Sequence, residues 1–329
     1  MVYWYFQYTN NGLKPHDKIT RNYNNAMPKG IAFEGGGVAG VGHTGALLEL
    51  SDRGLYKDLW AFAGSSAGSM IAGLCSCGMK PNEIHDTVFD MDFARLRDGS
   101  WFWTGGLYRL FNSYGWYKGD EVEKMYGEIL ETYTGNADIT YAQAHEKYGT
   151  TLITTSTDVV NKKTIYRTYE NSPDLPIKIG VRESCSIPVF YEPVCREGEM
   201  YVDGGVLDNY PIRKLYEYMP ESDVVGCKFV NSDTCLSFKT ELAPPSSVFE
   251  YIAVILRMLH EQGIKLHVKK TDWEKTMIID IGDISSVDFS LSDESKKVLV
   301  ENGRKACIAF YKQSTYTCLS GDNSVGVSP

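Results

Sequence analysis

Apolar positions fall into two kinds of grouping along the chain, short runs closed by glycine and longer stretches with helical spacing. Gly30 to Glu34 reads as a buried strand, followed by the glycine-rich run Gly35 to Gly42 and a helix over about 43–53. Leu59 to Ala63 reads as a second strand; it ends in Gly64-Ser65-Ser66-Ala67-Gly68 and passes straight into a helix over 69–77. A helix is predicted over 120–132, and the β-branched runs Thr151 to Thr157 and Thr164 to Tyr169 flank Asn161 as a hairpin-like pair. Met200 to Val202 reads as a strand leading to Asp203, and Val224 to Phe229 as another buried strand. A helix from about Ser246 to Val268 carries Ile252, Ile255, Leu256 and Leu259 at helical spacing. A strand over 277–281 and a helix from Ser292 to Tyr311, with Ser292 as N-cap and Asp293 and Glu294 in the first turn, complete the pattern. Such alternation implies an α/β fold with a mainly parallel sheet covered on both faces.

Composition narrows the function classes without choosing one. The 329 residues are 43% hydrophobic and 23% charged, ordinary for a globular chain. A net charge of −9 argues against a nucleic-acid partner, which needs clustered Lys and Arg. The eight cysteines include no CxxC pair and have no histidine at zinc-ligand spacing, so no metal site and no cofactor is expected, and reduced thiols in a cytoplasmic setting fit best. Met1 to Gly12 lacks the pattern of a secretory signal, and no apolar run approaches the length of a spanning helix, so any membrane contact is expected to be peripheral.

Three glycine-bearing elements carry chemistry. Gly64-Ser65-Ser66-Ala67-Gly68 fits the G-x-S-x-G nucleophile elbow, and Ser66 alone has glycine both two before and two after it. Gly35-Gly36-Gly37 offers backbone N–H groups without side chains, suited to the oxyanion of an acyl-transfer intermediate. The same run, through Gly35, Gly37 and Gly40, also satisfies the dinucleotide fingerprint, but the following strand ends without the acidic residue that would hold a ribose. Asp203-Gly204-Gly205 puts a carboxylate at a strand end where two glycines let the chain turn. His43 reads as a packing residue at a helix start, and His260 and His267 are the histidines after Asp203 in the order that an α/β-hydrolase triad requires.

In this order, Gly35-Gly36-Gly37-Val38-Ala39-Gly40, the elbow at Ser66 and Asp203-Gly204-Gly205 resemble the patatin-like phospholipases. Arg182 to Phe190 and Leu207 to Pro211 are similar to the segments that flank that family's aspartate, and the likeness spans about 30–212. The resemblance implies a three-layer patatin-like fold and calcium-independent hydrolysis of acyl esters in phospholipids or related lipids. It also implies a Ser66–Asp203 dyad, an oxyanion hole at Gly35, Gly36 and Gly37, and supporting roles for Gly40, Gly64, Gly68, Gly204 and Gly205. Ala39 departs from the family pattern, which usually has a basic residue there. Three other readings stay open: a catalytically silent lipid-binding protein, an esterase with a His260 or His267 triad, and a dinucleotide-binding oxidoreductase.

The expected organisation is an extension over 1–29, a catalytic core over 30–212, the rest of the same domain over 213–312 and a flexible tail over 313–329. The aromatic-rich segment 89–118 is expected to act as a cap; within it Trp101 to Tyr117 is either a packing cluster or the wall of an acyl-chain pocket or membrane-facing surface.

Overall fold

Both glycine-terminated apolar runs form parallel strands, each feeding a helix. A computed structural model of the protein describes residues 27–99, 103–231, 269–285 and 288–312, together with 251, 252, 254, 255 and 258. Strand β1 (Gly30–Phe33) leads through the glycine loop to helix α1 (Val41–Asp52), and β2 (Ala61–Ser65) leads to α2 (Ala67–Ser76). Helices α3 (Pro81–Phe89) and α4 (Trp103–Ser113), strand β3 (Gly115–Tyr117) and helices α5 (Asp120–Thr134) and α6 (Tyr141–Tyr148) follow. The hairpin β4 (Thr151–Asp158) and β5 (Lys163–Arg167) comes next. Helix α7 (Ile177–Ser184) precedes β6 (Val189–Tyr191), β7 (Val194–Arg196) and β8 (Glu199–Asp203). The last elements are β9 (Val224–Val230), α8 (Lys270–Glu274), β10 (Thr276–Asp280) and α9 (Asp293–Lys312). The helix predicted over 246–268 falls mostly outside the described residues, as do the tail from 313 and the first 26 residues.

Strands β10, β9, β1, β2 and β4 are joined in that order by parallel pairing, as the alternation of strands and helices predicts. Side-chain alternation sends Ile31, Phe33, Phe62 and Leu152 to a large core beneath the helices α1, α2 and α5. Ala32, Ala61, Ala63 and Ile153 face the other way, onto Tyr210, Ile212, Leu215 and Met219. Small residues on that face let the chain over 210–219 approach the sheet closely. Each fully buried large side chain, such as Phe33 or Leu47, contributes about 2 kcal/mol of transfer free energy.

The pairing of β4 determines where the site forms. Thr154 and Thr155 pair with Gly64 and Ser65 of β2 and also with Arg167 and Tyr166 of β5, so β2 and β5 occupy opposite edges of β4. Ser156 pairs with Ile165 of β5 and with Asp203 of β8. Strand β8 therefore lies on the same edge as β2 and meets it end to end. Successive residues of β4 thus hold Ser65 and Asp203.

On the other side of β2, β1 ends at Phe33 opposite Cys227, and β9 runs on past it to Val230. Glu34, the residue after β1, is buried and reaches across to Lys228 Nζ, and it also accepts the Phe229 N–H at 2.7 Å. Lys228 Nζ sits over the rings of Tyr210 and Trp273. Removing one partner of a buried pair strands the other charge, so Lys228→Met is expected to lower stability by about 3–5 kcal/mol in urea unfolding. A loss below about 1 kcal/mol would show that this pair does not hold the base of the glycine loop.

Candidate active site

The elbow is built by backbone crowding. A Cβ on Gly64 would stand 2.1 Å from the Gly68 carbonyl oxygen, and one on Gly68 would stand 2.3 Å from the Phe33 carbonyl oxygen, so neither place admits a side chain. Between them Ser66 takes φ 51° and ψ −128°, a left-handed conformation that costs a non-glycine residue about 1–3 kcal/mol. The strain leaves Ser66 at the first turn of α2, where the helix dipole favours a developing anion. Gly40 supports the turn from outside, since its Cβ would come 2.8 Å from Ala67 Cβ. The neighbouring serines have other uses. Ser69 Oγ donates to the Ser66 carbonyl at 2.6 Å, and Ser65 is fully buried against Gly204.

Ser184 locks the elbow to β4. The Ser66 N–H donates to Ser184 Oγ at 2.9 Å, and the Ser184 hydroxyl donates to the Thr155 carbonyl at 2.6 Å. The Ser66 amide is thereby occupied.

Asp203 is buried at the end of β8. Its Oδ1 accepts the Gly205 N–H at 2.7 Å, while Oδ2 makes no hydrogen bond of ordinary length among the described residues. Burial pushes the carboxyl up to about 6, against the opposing pull of the nearby Ser66 hydroxyl and of the Gly205 N–H. Gly204 admits no side chain, because a Cβ there would stand 2.4 Å from the Thr155 carbonyl oxygen.

The glycine loop runs past this pair. Gly37 has φ +55°, and a Cβ on Gly36 would stand 2.6 Å from the Phe229 ring. The Gly35 N–H is committed to the Asn209 carbonyl at 3.1 Å. It is thus no donor to a substrate, which corrects the expectation for Gly35 and leaves Gly36 and Gly37 as the candidate oxyanion donors. Ala39 is fully buried in the apolar core, so a long cation could not stand there without displacing its neighbours.

Ser66 and Gly37 open onto a cavity whose empty space, with the open solvent at its mouth included, is about 660 Å³. Its walls are apolar, with Val38, Met70, Leu74, Leu96, Tyr191 and Phe289 among them. Among the described side chains of α4 and β3, Tyr108, Phe111, Trp116 and Tyr117 do not line it. Tyr108 and Phe111 are instead 69% and 76% exposed, whereas Tyr117 packs against Phe190 and Tyr191 at the edge of the core.

Among the described residues no histidine hydrogen-bonds to Ser66 or Asp203. His43 is buried; burial pushes it down to about 4, and its Nε2 lies 2.8 Å from the Glu34 carbonyl, so it acts as a neutral tie beneath the glycine loop. His85 contacts Thr44, and His145 stacks on Tyr169. His260 and His267 lie outside the described residues. Among the described residues no group of three His, Cys, Asp or Glu side chains could hold a metal ion, and no helix is long and apolar enough to cross a membrane.

The sequence model of the patatin-like phospholipases matches residues 31–216. An uncharacterized protein of Bacillus subtilis, YqhO, is 28% identical over 301 residues, which cover 86% of this chain and 98% of that one. A probable lipid hydrolase of Invertebrate iridescent virus 6, 463L, is 31% identical over 196 residues, covering 58% of this chain and 64% of its own length. Among solved structures VipD from Legionella pneumophila superposes with a TM-score of 0.59 at 17% identity, over 94% of this chain and 73% of that one, a likeness of fold alone.

Because Ser66 carries backbone strain that glycine would not, Ser66→Gly is expected to stabilise the protein. The gain is about 1 kcal/mol once glycine's extra chain entropy is subtracted. An unfolding midpoint in urea that is unchanged or lower would contradict this strain.

Proposed function

From the premise that the chain belongs to the patatin-like phospholipase family, we propose that it hydrolyses acyl esters of phospholipids or related lipids through Ser66 and Asp203. The observation that carries this reading is the pairing of Ser65 and Asp203 with adjacent residues of β4, which brings a strained serine beside a buried carboxylate. The apolar cavity at Ser66 suits an acyl chain, and the first turn of α2 suits the negative charge.

In the first half-reaction the Ser66 hydroxyl adds to the ester carbonyl while its proton passes to Asp203 Oδ2. The tetrahedral oxyanion lies against the N–H groups of Gly36 and Gly37. As it collapses, the ester C–O bond breaks, the proton on Asp203 goes to the leaving alkoxide, and the alcohol departs from an acyl-Ser66. Water then adds to the acyl carbonyl, giving a proton to Asp203; the Ser66–acyl bond breaks, Ser66 regains the proton and the fatty acid leaves. An ordinary carboxylate is a weak base for a hydroxyl. One at about 6 is on the order of a hundredfold stronger than one near its usual value, and each oxyanion donor adds about 10²–10³ in turnover. The scheme uses no metal, so it runs in a chelator.

Fatty-acid release from mixed phospholipid vesicles in excess EDTA is therefore expected from the wild type. Ser66→Ala and Asp203→Asn should each lose on the order of 10⁴-fold in turnover, while His260→Ala/His267→Ala keeps it. Loss in the histidine variant would replace the dyad by a triad. A wild type that binds vesicles without releasing fatty acid would favour the silent lipid-binding reading.

The base must be ionised to work. kcat/KM is expected to fall about tenfold per pH unit below about 6 and to level off above it. A profile that stays flat down to pH 4, on protein that remains folded, would remove Asp203 as the base.

A further inference from the structure

Both backbone hydrogen-bonding groups of Gly35 go to one residue. The Gly35 N–H donates to the Asn209 carbonyl at 3.1 Å, and Asn209 Nδ2 donates to the Gly35 carbonyl at 2.9 Å. The same carboxamide lies against a second glycine. A Cβ on Gly35 would stand 2.2 Å from Asn209 Oδ1 and 2.9 Å from Ser66 Cβ, and a Cβ on Gly205 would stand 2.8 Å from Asn209 Oδ1. Gly205 is the residue whose N–H holds Asp203 Oδ1. One side chain is thus wedged between the glycine loop and the glycine that holds the acid, on the side of the loop that faces Ser66.

Asn209 is itself held firmly. The Asp208 N–H donates to the Gly204 carbonyl at 2.8 Å, and the Asp208 carboxylate accepts the Tyr210 N–H at 3.1 Å and the Tyr166 hydroxyl at 2.7 Å. The turn after Asp203 is therefore a rigid mount for the carboxamide.

The Gly35 carbonyl and the Gly36 N–H belong to one planar trans peptide unit, so they point in opposite directions. Anchoring the first sets the direction of the second. Three consecutive glycines have no side chains of their own to resist rotation of that unit, and Asn209 Nδ2 supplies the missing restraint. We propose that Asn209 is a positioning residue, which orients the Gly36 N–H toward the developing oxyanion and so raises turnover without touching the substrate. The inference rests on the acyl-transfer reading of Ser66.

The test uses purified full-length protein and p-nitrophenyl butyrate as a soluble ester probe, with Asn209→Ala as the main variant. Asn209→Ser, whose hydroxyl is too short to reach the Gly35 carbonyl, is the second. Each is expected to lower kcat on the order of 10²-fold, with KM changed less than about twofold and the acid limb of the pH profile still near 6. A merely structural asparagine would lower the melting temperature and leave kcat of the folded fraction intact, which overturns the proposal. A fall in kcat joined to a displaced acid limb also overturns it, because Asn209 would then act on Asp203 rather than on the loop. If Asn209→Ala does not fold, Asn209→Ser decides by the same readouts. Ser66→Ala separates the two levels: if it keeps wild-type activity, or if the wild type is inert, the acyl-transfer reading falls and takes this inference with it. If Ser66→Ala is dead and both Asn209 variants turn over like the wild type, only the role of Asn209 falls.

Discussion

One edge of β4 is the constraint on which the site depends. Thr155 pairs with Ser65 from a parallel strand and Ser156 pairs with Asp203 from an antiparallel one, so two strands of opposite direction end against each other. Neighbouring residues of a strand are separated by about 3.3 Å along its axis, close enough for the side chains of Ser66 and Asp203 to meet. Neither β2 nor β8 can continue without colliding with the other, and each ends in a turn that excludes side chains, at Gly64 and Gly68 on one side and Gly204 on the other. Mixed strand direction in a mainly parallel sheet is what brings serine and carboxylate together.

The same region is arranged around buried polar groups with few partners. Asp203 is shut away from water, and that burial is the largest cause of its raised basicity. The Ser66 amide is absorbed by Ser184 and the Gly35 amide by Asn209, which directs attention to the amides of Gly36 and Gly37. A strained Ser66 and an unpartnered carboxylate oxygen both cost stability. The surrounding frame offsets them through the apolar core on both faces of the sheet and the buried Glu34–Lys228 pair beneath the loop.

Much of this was legible in the sequence because the chemistry is carried by local, glycine-marked turns. The strand, glycine loop and helix at 30–52 and the elbow at Ser66 follow from runs of a few residues, and the hairpin around Asn161 follows from β-branching. Helix starts were less legible. α1 and α2 begin two residues before their predicted positions because Gly40 and Ser66 precede them without a side-chain cap, so no capping signature marks the boundary. Helices α3, α6 and α7 escaped as well; they are only eight or nine residues long, and a hydrophobic period is hard to resolve over so few turns. The roles of Ser184 and Asn209 had no local signal at all, since their partners Ser66 and Gly35 lie 118 and 174 residues away in the chain. Exposure of Tyr108 and Phe111 was equally hidden, because an aromatic run without a period gives no sign of which way its side chains face.

The central claim is that Ser66, activated by Asp203, becomes covalently acylated, and trapping the intermediate tests it most directly. Full-length protein treated with a fluorophosphonate lipid analogue and digested for mass spectrometry should carry the adduct on Ser66. Labelling should slow as pH falls through about 6 and be lost in Asp203→Asn. An adduct on Ser65, Ser69 or another residue, or labelling of Ser66 that is indifferent to Asp203, would contradict the account.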